Sequence, residues 1–226
     1  RDVKLEFKHV IDYRIKREAE EIPCKLKIQF MDIEVFSDGS LEFPRPEIAN
    51  KPINAISFKN GDSQTNVYIA RFPQMDQSAI QERDDVNIKL FDTERELLLA
   101  YCKEIKKYDP HIITAWNGLG FDLPYIYNRM QKNGIDVNML SPIGETSFDF
   151  ERYGNHFIYG LHFLDLLEVY KMFTYNQESS YKLGSIARKE LSKDKVAYEG
   201  TLDNIYIKDI NKFIEYSKEI GRASCR

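Results

Sequence analysis

The chain has 226 residues, 42% of them hydrophobic and 30% charged, with a formal net charge of −4. That composition describes a soluble globular protein and excludes collagen-like, low-complexity and charge-dominated disordered classes. No run approaches the roughly 18 apolar residues of a membrane-spanning helix, and no signal peptide opens the chain. Net acidity neither marks nor excludes a nucleic-acid binder, because metal-dependent phosphodiester hydrolysis itself gathers carboxylates. Cys24, Cys102 and Cys225 stand far apart with no C-x-x-C spacing. This argues against a zinc site or a disulfide framework and fits a reducing cytoplasm.

In chain order, Arg1 to Ile22 is charge-dense and ends in the acidic run Glu18 to Glu21, which reads as a linker or the tail of a preceding domain. A strand follows from Cys24, where Leu26, Ile28 and Phe30 alternate with Lys25, Lys27 and Gln29. The Leu26/Ile28/Phe30 face, continued by Asp32 and Glu34, is expected to be buried. Ile53 to Phe58 and Val67 to Ala70 flank Asn60-Gly61, a hairpin signal, so the first three strands are expected as an antiparallel meander. Thr93 with Glu96 reads as a capping box for a helix that presents Leu97, Leu98, Tyr101, Ile105 and Tyr108 and stops at Pro110. His111 to Trp116 reads as a short buried strand. A helix starts near Asp122, with Pro124 in its first turn and Gly134 as terminator. Tyr159 to Leu167 reads as strand into helix. Tyr181 to Leu191 is helical, and a last helix over Ile210 to Ser217 breaks off near Gly221. Antiparallel strands followed by alternating helix and strand imply an α/β fold, a mixed β-sheet flanked by helices.

Three features carry chemistry. Asp32 and Glu34 lie two apart on a strand, so they share a face with Cβ atoms roughly 6.5–7 Å apart. Two carboxylates so placed can converge on a hard divalent cation; the alternative is a solvated strand end. Asp122 closes the loop Asn117-Gly-Leu-Gly-Phe-Asp between a strand and a helix, where it can also serve as a simple N-cap. The two glycines allow close approach of backbone or ligand, and loops at strand ends are where open α/β sheets bind ligands. Phe121 offers a stacking face and Asn117 an amide. Tyr216 on the last helix is, from local sequence, a packing residue.

Together these segments resemble the exonuclease motifs of family B DNA polymerases, phage-type branch. Met31 to Gly39 (MDIEVFSDG) corresponds to the first, Ile113 to Arg129 (ITAWNGLGFDLPYIYNR) to the second, and Tyr216 opens the third; His162 to Phe173 resembles the stretch after the exonuclease hairpin. The resemblance covers about Lys25 to Lys218. It implies a ribonuclease H-like fold and a 3′-5′ proofreading exonuclease of the DEDDy group. By the same resemblance Asp32, Glu34 and Asp122 are catalytic carboxylates for two Mg²⁺ or Mn²⁺ ions, and Tyr216 orients the attacking water. Asn117, Phe121 and Lys182 are DNA-binding residues for a single-stranded 3′ end. Asp165, a further buried acid, reads as structural.

Four residues after Tyr216 the family carries an aspartate where this chain has Ile220. The expectation is a fragment with little nuclease activity: residues 1–24 as the end of a polymerase N-terminal domain or a linker, 25–219 as exonuclease domain, and 220–226 as a non-native tail. The natural N-terminus and downstream polymerase domains are expected to lie outside the chain. The cytoplasm of a phage host is the expected location, with no membrane contact. Competing readings are a stand-alone DEDD-type nuclease and a non-catalytic single-strand-binding domain.

Overall fold

In a computed structural model, which describes residues 25–40, 42–76, 78–151, 156–174, 177–192 and 200–223, β1 spans Ile28–Val35 and lies inside the sheet. It pairs antiparallel with β2 (Ile53–Asn60), which pairs antiparallel with β3 (Thr65–Ala70). The turn between β2 and β3 forms at Asn60-Gly61, where Gly61 has φ 55° and Ser63 N–H donates to the Asn60 carbonyl at 3.1 Å. The expected meander is therefore present. The expected linker and Cys24 and Cys225 lie outside the described residues.

Burial on β1 extends to both faces, beyond the single face expected. Gln29, Met31 and Ile33 are nearly solvent-free, whereas Leu26 is 52% exposed. The expected face is covered as well, with Glu34 buried and Ile28, Phe30 and Asp32 half-buried, because an interior strand is covered on both sides. Met31 and Ile33 pack with Phe58, Leu97, Leu98, Tyr101 and Leu123, a core that buries α1 (Glu94–Tyr108) and α2 (Asp122–Lys132).

α1 begins as its sequence dictates: Thr93 Oγ1 accepts from Glu96 N–H at 3.2 Å, and Glu96 Oε2 accepts from Asp92 N–H at 3.0 Å. It ends at Tyr108, before Pro110, with Asp109 left-handed. β5 (Ile112–Ala115) then runs parallel to β1, and β8 (His162–Asp165) runs parallel to β5. β4 (Val86–Phe91) lies parallel to β3, giving the order β4-β3-β2-β1-β5-β8. β4 is an edge strand, and its sequence alternates apolar Val86, Ile88 and Leu90 with polar Asn87 and Lys89, a strand signal that the expected elements omit. A small hairpin, β6 (Thr146–Phe148) with β7 (His156–Ile158), stands apart from the main sheet.

A 3-10 helix spans Val137–Leu140, and α3 (Leu166–Phe173), α4 (Leu183–Leu191), α5 (Leu202–Lys208) and α6 (Ile210–Ala223) complete the described elements. α6 runs two residues past the break expected at Gly221. It covers the sheet face opposite α1, through Ile210, Phe213 and Ile214 on Ala55, Val67 and Ile69. Buried Lys218 fixes its register, donating to Asp85 Oδ2 at 2.8 Å and to Glu215 Oε1 at 2.9 Å. Burial works against the Lys218 charge, but these two carboxylates outweigh it and hold the ammonium pKa above its usual value.

Candidate active site

Asp32 and Glu34 share one face of β1, and strand register carries that face across the sheet. Asp32 stands opposite Ser57 and Glu34 opposite Ala55, which in turn pair with Val67 and Ile69. Ala55, Val67 and Ile69 form the floor under α6, and Tyr216, 8% exposed, belongs to the same cluster. Two of the expected carboxylates and the expected tyrosine thus lie on one side of the sheet.

Asp122 arrives from the neighbouring strand. Pairing of β1 with β5 ends at Phe30 opposite Thr114, and beyond that point the two chains part. Asp122, the first residue of α2 and 2% exposed, takes up the amide left there: its Oδ1 accepts from Ile33 N–H at 3.1 Å. The carboxylate therefore reaches the backbone between Asp32 and Glu34. Burial pushes its pKa up to about 7, partly opposed by the Ile33 N–H, with the charge of Asp165 adding to the upward push.

Asp165 organises the loop that delivers Asp122. Its Oδ1 accepts from Asn117 N–H at 3.0 Å and from Leu167 N–H at 2.9 Å, and its Oδ2 accepts from Leu119 N–H at 3.0 Å. One carboxylate so caps α3 and pins the β5–α2 loop, in keeping with the structural role expected for it. Asn117 sits at φ 61°, a left-handed conformation that asparagine tolerates better than most residues.

Gly118 is needed for packing. A Cβ there would stand 2.7 Å from the Ala115 Cβ and 2.7 Å from the Phe163 ring. The close approach that the loop glycines allow is made here by the protein's own Ala115 and Phe163. Lys182 is exposed at the start of α4; next to it, the Tyr181 carbonyl accepts from Trp116 Nε1 at 3.0 Å, tying that segment to the exit of β5.

Phe121 lies at the start of α2 with its ring 5.4 Å from that of Phe43, which is 72% exposed. Phe43 was missed in the sequence. The signal was available as an isolated aromatic in the polar, proline-containing segment Ser40 to Pro46, where a core residue is not expected.

Among the described residues, no three His, Cys, Asp or Glu side chains are gathered into a group that could hold a metal ion. Asp32 and Glu34 share a face, while Asp122 is turned to the Ile33 amide. Like charges brought close repel unless a cation compensates them. The donor set itself, three carboxylates with no sulfur or imidazole, is the hard-oxygen type that Mg²⁺ and Mn²⁺ take.

A mixed sheet of this order, flanked by helices and carrying acids on β1, at the end of β8 and after β5, is a ribonuclease H-like α/β domain. The chain belongs to the family described as DNA polymerase family B, exonuclease domain, whose pattern matches residues 2–186. It is 29% identical to the DNA-directed DNA polymerase of Escherichia phage RB69 over 96% of this chain and 26% of that protein. To the DNA-directed DNA polymerase of Enterobacteria phage T4 it is 34% identical over 56% of this chain and 15% of that protein. DNA polymerase 1 of Aeropyrum pernix is 28% identical over 89% of the chain and 20% of its own length. The chain thus spans about a quarter or less of these curated relatives. Among the described residues no helix is long and apolar enough to cross a membrane.

Proposed function

We propose that this exonuclease domain edits DNA, removing mispaired nucleotides from 3′ ends as part of a family B polymerase. The observation that carries the reading is the Asp122–Ile33 contact, which brings a carboxylate from β5–α2 to the backbone between Asp32 and Glu34. These three residues would hold divalent cations, Mg²⁺ or Mn²⁺. When bound, a pair of such ions lowers the pKa of the attacking water and stabilises the departing 3′-oxygen. Tyr216, on the same side of the sheet as Asp32 and Glu34, would orient that water through its hydroxyl. Phe121 and Phe43 offer aromatic faces to the terminal bases, a contact indifferent to sequence. Asn117 and Lys182 would contribute polar contacts to the strand. The host cytoplasm is the location this reading implies.

The chain as it stands is proposed to be inactive. Position 220 lies one helical turn beyond Tyr216 on α6, at the place where the family carries an aspartate. Isoleucine there supplies neither the charge nor the ligand that an aspartate gives. Ile220 also favours a second reading, a domain that binds single strands without cutting them.

A Mn²⁺ titration followed by calorimetry separates the two. Ile220→Asp should bind Mn²⁺ at least about tenfold more tightly than the unaltered chain, and Asp32→Asn in that background should remove the gain. Equal affinity in all three proteins would sink the metal reading.

A further inference from the structure

The loop from β1 to β2 is strung between two helices. At its far end α2 holds it: Asn128 Nδ2 donates to the Pro46 carbonyl at 2.8 Å, Arg129 Nη1 to that of Ala49 at 2.9 Å, and the Tyr125 hydroxyl to that of Lys51 at 2.8 Å. At its near end a single carboxylate from α5 holds it. Asp203, 4% exposed, accepts Ser37 N–H on Oδ1 and Gly39 N–H on Oδ2, both at 3.1 Å.

Two features set this contact apart from ordinary helix capping. Asp203 lies in the first turn of α5, where an acid usually serves its own helix. Here both of its oxygens bond to amides 164 and 166 residues away, while the N-cap Thr201 makes no side-chain cap bond. The clamped turn also contains two left-handed residues, Asp38 at φ 53° and Gly39 at φ 72°. Such a conformation at a non-glycine residue persists only where the surroundings hold it.

Phe43 stands between the two anchors, and its exposed ring meets Phe121. We propose that Asp203 is a positioning residue: it fixes the near end of the loop so that Phe43 stays beside Phe121 and both rings meet the end of a single DNA strand. This rests on the editing function proposed above. Asp203 touches no DNA; it acts through the Ser37–Gly39 turn and so through Phe43.

The test is a double-mutant cycle on the full chain, reading affinity for a short fluorescein-labelled oligothymidylate in Ca²⁺ by anisotropy. Asp203→Asn sets an amide donor against one of the two backbone N–H groups. It should weaken binding about tenfold, the scale of one lost stacking contact. Phe43→Ala should do the same, and the double variant should be no weaker than Phe43→Ala alone. Amide exchange at Ser37 and Gly39 should accelerate in Asp203→Asn and not in Phe43→Ala. Should Asp203→Asn fail to fold, Asp203→Ser removes the carboxylate with less disturbance and takes its place in the cycle.

Wild-type binding by Asp203→Asn, or losses that simply add in the double variant, would overturn the proposal while leaving the editing function standing. If the unaltered chain does not bind the oligonucleotide at all, the editing function itself falls, and the role of Asp203 with it.

Discussion

Asp122 and Ile33 lie 89 residues apart in the chain, and a hydrogen bond of 3.1 Å joins the carboxylate of one to the amide of the other. The bond closes the gap that opens where β1 and β5 stop pairing. It also places a buried acid where its charge is costly.

Stability should therefore depend on the charge of Asp122. Its folded pKa, near 7, lies above the ordinary carboxylate value of 3.8, so the folded state binds this proton more tightly than the unfolded chain. The resulting stabilisation is complete below about pH 4 and is lost as pH rises through about 7. Without metal at pH 8, Asp122→Asn keeps an oxygen for Ile33 N–H and removes the buried charge. It should raise stability by on the order of 2 kcal/mol. Chemical denaturation in EDTA at pH 5 and pH 8 measures this; a variant less stable than wild type at pH 8 contradicts it.

A buried ion pair locks the helices on the other face. Glu94 Oε1 accepts from Ile53 N–H at 2.8 Å and from Arg129 Nε at 2.7 Å, and Oε2 meets Arg129 Nη2 and Asn133 Nδ2. Arg129→Met strands a buried carboxylate and should cost about 3–5 kcal/mol. A loss under 1 kcal/mol in urea unfolding would show that the pair is dispensable.

Asp165→Ala leaves three backbone amides, those of Asn117, Leu119 and Leu167, without their acceptor. The cost should be about 2–4 kcal/mol, with faster amide exchange at all three positions. Exchange that changes only at Leu167 would confine Asp165 to capping α3.

Gly118→Ala tests the packing role of that glycine. The added methyl meets Ala115 and Phe163, so overpacking should cost about 1–3 kcal/mol. An unaltered melting temperature would mean that the loop yields freely.

Much of this arrangement was legible in the sequence. Asn60-Gly61, Thr93 with Glu96, and Pro124 after Asp122 mark their turn and helix starts through local chemistry, and the structure has all three. Asp32 and Glu34 sharing a face follows from strand periodicity alone. Burial of the Gln29/Met31/Ile33 face of β1 was not legible, because alternation suggests one covered side and an interior strand is covered on both. β4, by contrast, was legible, since Val86, Ile88 and Leu90 alternate with Asn87 and Lys89, yet the expected elements omit it. Asp203 escaped because its partners, Ser37 and Gly39, come from the far end of the chain. The meeting of Asp122 with β1 is likewise tertiary, and only the family resemblance pointed to it.

The central claim is that an editing nuclease site is present here and lacks one carboxylate at position 220. Its most direct measurement is Mn²⁺-dependent release of nucleotides from the 3′ end of labelled single-stranded DNA, by the unaltered chain and by Ile220→Asp. The unaltered chain should show little or no release. Ile220→Asp should exceed it on the order of a hundredfold, the upper end of what an outer-shell partner of a metal usually contributes. Robust turnover by the unaltered chain, or an Ile220→Asp variant as inert as its parent, would contradict the account.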